Sequence, residues 1–98
     1  MNHLSAKQVK EKMQNGEELN IIDVREAYEA AMGKIPTSIN IPLGLMEFKL
    51  PELDKNKEYI MVCHSGARSS FACQFLEARG FRVTNMDGGM MFWQGQIV

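Results

Sequence analysis

The chain has 98 residues, of which 45% are hydrophobic, 8% aromatic and 23% charged. That is the balance of one globular domain over 1–98, not of a disordered, fibrous or multidomain chain. Eleven basic against twelve acidic residues leave a formal charge of −1, which excludes the global electrostatic footprint that nucleic acid or an anionic membrane would select.

No apolar run reaches the roughly 18 residues of a membrane span. The opening MNHLSAKQVKEK is charged where a secretory leader needs its apolar stretch. The expectation is a soluble, cytoplasmic protein. Ser5 with Gln8 forms a capping-box pattern that opens a short amphipathic helix over 6–14, with Val9 and Met13 on one face and Asn15-Gly16 as its stop. Residues 19–24 read as a buried strand from which Asp23 and Arg25 emerge at the sheet's edge. A short helix over 26–32 follows, with Arg25 and Glu29 paired at i,i+4 and Gly33 at its end.

Residues 38–41 read as a short strand closed by Pro42, and 43–53 as irregular or briefly helical chain around Pro51. The clearest strand is 59–63 and the clearest helix 68–79, where Phe71, Phe75, Leu76 and Arg79 show helical spacing before Gly80. A strand over 81–86 and a last helical turn after Gly88-Gly89 complete the chain. Strands alternating with helices predict an α/β domain with a mainly parallel sheet and helices on both faces. Such sheets bind ligands beyond the carboxyl ends of their strands, where Asp23, Cys63 and Asp87 with Gly88 emerge.

Cys63 and Cys73 fit neither a disulfide framework nor a C-x-x-C site, and His3 and His64 are too scattered to complete a zinc set. Both cysteines read as free thiols, with Cys73 inside a helix between Phe71 and Phe75 as a buried core residue by default and a resolving thiol as the alternative. The segment Cys63-His64-Ser65-Gly66-Ala67-Arg68-Ser69 joins the best strand to the best helix. There, successive backbone N–H groups can converge on one anion.

Those groups and the positive helix end favour thiolate over thiol, which makes Cys63 a candidate nucleophile. Gly66 permits the tight turn, Arg68 can offer a planar fork to an anion, and Ser69 can cap the helix. A cysteine ending a buried strand is by default a small apolar residue. Cys, Gly and Arg together on one loop reverse that default. His64 beside Cys63 is no evidence of a dyad, because adjacency does not aim the ring at the sulfur.

The loop resembles the C-x-x-G-x-R-S active-site loop of the rhodanese (sulfurtransferase) family. The stretch IIDVREAYEAAMGKIPTSINIPL resembles that family's DVRE…E…GHIPGAINIPL signature, and Gly88-Gly89 with Trp93 its GG…W tail. The resemblance implies a single rhodanese-like domain in which Cys63 takes sulfane sulfur from a donor as a persulfide and passes it to a thiophilic acceptor. It implies that the amides of His64, Ser65, Gly66, Ala67, Arg68 and Ser69 cradle the terminal sulfur and that Arg68 helps hold the anion. No metal or organic cofactor is called for.

The implied partners are thiosulfate, cyanide or thiols such as glutathione, or a protein in a sulfur relay. Lys34 stands where the family usually has His, Thr37-Ser38 replace Gly-Ala, and His64 stands where many thiosulfate-active members carry Arg or Lys. Two rivals remain. Cell-cycle phosphatases and arsenate reductases share the fold, but their loop has one more residue between Cys and Arg than the four found here. A binding or redox-sensing module of the same fold is the other. Asp23 and Arg25 read as a strand-end ion pair or as a brace for the loop. Met86, Met90, Met91, Phe92 and Trp93 read as core, pocket wall or an apolar rim for a protein donor.

Overall fold

The computed structural model describes residues Met1–Val98. Five strands form one sheet in the order β1-β5-β4-β2-β3, with every neighbouring pair parallel. They are β1 (Asn2–Ser5), β2 (Asn20–Asp23), β3 (Ile39–Asn40), β4 (Glu58–Val62) and β5 (Arg82–Asp87). The helices are α1 (Ala6–Gln14), α2 (Ala27–Ala31), α3 (Met46–Lys49) and α4 (Ala67–Glu77), with short 3₁₀ turns at Leu43–Leu45, Leu50–Glu52 and Gly89–Phe92.

Strand alternation divides the core between two faces. Ile21, Ile60, Val62 and Met86 pack with Ala6 and Val9 of α1, Ile35 and Trp93 on one face. Ile22, Tyr59, Met61, Cys63 and Val83 pack on the other with Met46 of α3 and Ala72, Cys73 and Leu76 of α4. The α/β architecture with helices on both faces is therefore the observed one.

Two local readings change. β1 has no sequence signal, since Asn2, His3 and Ser5 are exposed and the strand forms by pairing its backbone with β5 alone. The buried face of α4 is Ser69, Ala72, Cys73 and Leu76, while Phe71 is 61% exposed and Phe75 only partly buried. Helical phase places Phe71 on the side of α4 opposite that face. The segment 43–53 is briefly helical, as expected, in short pieces that begin after Pro42 and break near Pro51.

Parallel pairing brings the carboxyl ends of β2, β4 and β5 to one edge. Asp23 lies opposite Val62, Met61 opposite Asn85, and Cys63 follows Val62 out of the central strand. Gly89 closes the end of β5 onto that point. A Cβ there would stand 2.5 Å from both the Cys63 and the His64 carbonyl oxygens, so only glycine fits.

Candidate active site

The loop between β4 and α4 turns through Gly66, whose φ of +100° is left-handed and strained for any residue with a Cβ. Gly66 occupies the helix N-cap position, and its N–H donates to Cys63 Sγ at 3.0 Å. The 3₁₀ turn at Gly89–Phe92 anchors the start of the loop, with Met90 N–H donating to the Cys63 carbonyl at 2.8 Å and Met91 N–H to that of His64 at 3.0 Å. His64 and Ser65 are exposed on the rim, and Ser65 Oγ accepts from Ala67 N–H at 3.4 Å.

Cys63 is fully buried at the floor of the loop. Burial raises its thiol pKa, but the hydroxyl of Ser69 and the amides of Ser69, Gly66 and Ser65 outweigh that and hold it below the ordinary 9.0. Cys73 is as deeply buried and has no such donors, so burial pushes its thiol up to about 12. One cysteine is shifted toward the thiolate. The other is a core residue, as its place in the helix predicts.

Ser69 does not cap the helix. It lies within the first turn of α4, facing inward, with Oγ 3.4 Å from Cys63 Sγ and 2.6 Å from Asn85 Oδ1. Asn85 Nδ2 donates to the Gly66 carbonyl at 3.3 Å and to Asp87 Oδ1 at 2.9 Å. Asp87 is also bonded to His3 Nδ1 of the edge strand at 2.9 Å, and that bond leads the contacts that lower its carboxyl pKa. Asn85 has no place in the loop motif. Its one signal is its place two residues after Val83, on the strand face that Val83 turns inward.

Arg68 reaches sideways to α2, donating from Nη1 and Nη2 to the two carboxylate oxygens of Glu29 at 2.7 and 2.9 Å. The bond to Arg68 leads the causes that hold Glu29 at about 2, against the ordinary 4.5. Arg25 is not the partner of the Glu29 carboxylate. Its Nη2 donates to Asp23 Oδ2 at 2.7 Å and to the Gly33 carbonyl at 2.8 Å, and its Nη1 reaches the Glu29 carbonyl at 3.4 Å. The Asp23–Arg25 pair is therefore a buried strand-end ion pair that also reaches the middle of α2 and Gly33 just beyond its end, and from α2 Glu29 holds Arg68.

Met86 and Trp93 lie in the core and Met90 packs against it, while Met91 and Phe92 are exposed. A family model for the rhodanese-like domain matches residues 5–96. The chain belongs to the rhodanese-like family. Among rhodanese-like relatives, YtwF of Bacillus subtilis, which bears a provisional sulfurtransferase name, is 45% identical over 93 residues, covering 95% of this chain and 90% of YtwF. A protein of Allochromatium vinosum named sulfurtransferase is 31% identical over 94 residues, covering 95% and 88%. The crystal structure of a rhodanese-like domain protein from Staphylococcus aureus superposes with a TM-score of 0.92 at 34% identity, over 98% of this chain and 94% of that one.

Proposed function

We propose that this rhodanese-like protein is a sulfurtransferase that carries sulfane sulfur on Cys63. Sulfur transfer in general is supported by its family and by relatives named sulfurtransferases. The observation that carries the reading is the convergence of Gly66 N–H, at 3.0 Å, and Ser69 Oγ, at 3.4 Å, on Cys63 Sγ, with no second thiol in the loop.

In the loading step the Cys63 thiolate attacks the outer sulfur of the donor. An S–S bond forms to Sγ, and the donor's own bond to that sulfur breaks with its electron pair leaving on the departing group, sulfite when the donor is thiosulfate. The persulfide's terminal sulfur then bears the negative charge, and the amides from His64 to Ser69 are the donors available to it. An acceptor nucleophile, cyanide, a thiol or a protein thiolate, attacks that sulfur and releases the Cys63 thiolate. Arg68 adds positive charge beside the site while its position is fixed by Glu29.

No free guanidinium or ammonium group hydrogen-bonds the loop, because Arg68 is engaged by Glu29 and position 64 is His. The reading therefore favours a persulfide donor, including one carried by a relay protein, over the thiosulfate dianion. The test is intact mass of the reduced protein and of Cys63→Ser after incubation with thiosulfate or with a persulfidated protein. Gain of one reducible sulfur atom, absent in the variant, supports the reading. No gain from either donor would overturn it in favour of a binding or redox-sensing module.

A further inference from the structure

Ser69 has one hydroxyl proton and two neighbours competing for it. Asn85 Oδ1 lies at 2.6 Å and Cys63 Sγ at 3.4 Å. The orientation of the Asn85 amide is settled by its other partners, since Nδ2 sits between two acceptors, the Gly66 carbonyl and the Asp87 carboxylate. Its carbonyl must therefore face Ser69, and only a donated proton satisfies a contact of 2.6 Å between two oxygens.

We propose that Asn85 is a positioning residue for the sulfur site, acting through the Ser69 hydroxyl. When Cys63 is a thiol, Ser69 donates to Asn85 and its oxygen accepts from the S–H. When Cys63 is a thiolate, the hydroxyl turns its proton to Sγ and leaves the Asn85 carbonyl. In the persulfide Sγ is again uncharged, and the proton returns to Asn85. Asn85 thus opposes the thiolate and favours the protonated and sulfur-loaded states, while its Nδ2 steadies the Gly66 peptide whose N–H also contacts the sulfur. The thiol half of this cycle stands on the geometry alone. Its part in loading rests on the sulfur-transfer reading.

Other titratable groups lie on the elements around the loop. Arg68 on α4 is paired with Glu29 of α2, Asp87 on β5 with His3 of β1, and Asp23 with Arg25 at the end of β2, and His64 lies beside the cysteine. The substitutions below remove none of them, and the one bond that Asn85→Leu takes from Asp87 is lost equally in both backgrounds of the cycle. Cys73 remains protonated through the neutral range and adds no thiolate signal.

The experiment is a double-mutant cycle on the titration of Cys63, read as the ultraviolet absorbance of the thiolate against a Cys63→Ser blank. Ser69→Ala removes a charge-assisted bond and should raise the midpoint by about one pH unit. Asn85→Leu frees the Ser69 proton but also releases Gly66, so its own shift combines two opposed effects. The decisive comparison is that this shift lies lower, by about half a pH unit or more, with Ser69 present than in the Ser69→Ala background.

Equal shifts in the two backgrounds, or a coupling of the opposite sign, would overturn the proposal, because a purely structural role for Asn85 is indifferent to the hydroxyl. Should Asn85→Leu fail to fold, Asn85→Ala removes the same carbonyl without filling the space and is read in the same cycle. Failure of the unaltered protein to gain sulfur would defeat the transfer reading alone and leave the titration result standing.

Discussion

Glu29 and Arg68, on helices α2 and α4, meet in a two-pronged ion pair with N···O distances of 2.7 and 2.9 Å. It ties the helix that follows the Cys63 loop to the segment that follows β2, so the fork of Arg68 is held by a partner from another element. The folded Glu29 carboxyl titrates near about 2, below its ordinary 4.5. The pair's stabilisation is therefore complete above 4.5 and is lost as pH falls from there to about 2. Arg68 is 37% exposed, and screening keeps the net value to about 1 kcal/mol. The urea midpoints of the protein and of Glu29→Gln should differ at neutral pH and converge over that acid window. A gap that persisted to the lower end would contradict the assignment.

The Asp23–Arg25 pair differs in being buried, with side chains 1% and 8% exposed. Removing one partner strands the other without water, which costs about 3–5 kcal/mol. Arg25→Met should lose stability on that scale in denaturant titrations and loosen α2, since it also frees the Gly33 carbonyl. A loss below about 1 kcal/mol would place the pair with ordinary surface bridges.

Thr37 is the one residue other than glycine with positive φ, at 69°, and it occupies a position where the family pattern has Gly. A β-branched residue in that region is strained by about 1–2 kcal/mol. Glycine relieves the strain at a chain-entropy cost of about half as much. Thr37→Gly should gain about 0.5–1 kcal/mol and raise Tm by a few degrees. An unchanged or lower Tm would show that the turn holds Thr without strain.

Cys63→Ser should abolish sulfur loading, whereas Cys73→Ser should retain most of it, with Cys73 lying in the core and receiving none of the hydrogen bonds that reach Cys63. The loading rate should rise with pH and level off below 9.0, because the attacking species is the thiolate and the folded Cys63 pKa lies under that value. A rate still climbing beyond 9.0 would mean that burial dominates over the Ser69 and Gly66 donors.

The loop, its Gly66 and the place of Cys63 at its start are legible in the sequence because they are contiguous, and a strand-turn-helix boundary needs only local signals. Cys73 is legible as core for the same reason. The direction of Arg68 is not, since its partner Glu29 is 39 positions away and the nearer candidate, Arg25, competes for Glu29 on paper. Ser69 has the composition of a cap, and only the inward turn of α4 makes it a neighbour of the sulfur.

By itself the sequence determined the alternation of strands and helices, the place of Cys63 at the end of the central strand, and the glycines that its turn requires, because apolar period, capping and φ preference act over a few residues. Only the tertiary structure decided the edge strand β1 and the chain of contacts from Cys63 through Ser69, Asn85 and Asp87 to His3. Parallel pairing sets distant residues side by side, and the hydrogen bonds of buried polar groups follow from that register and from no local pattern.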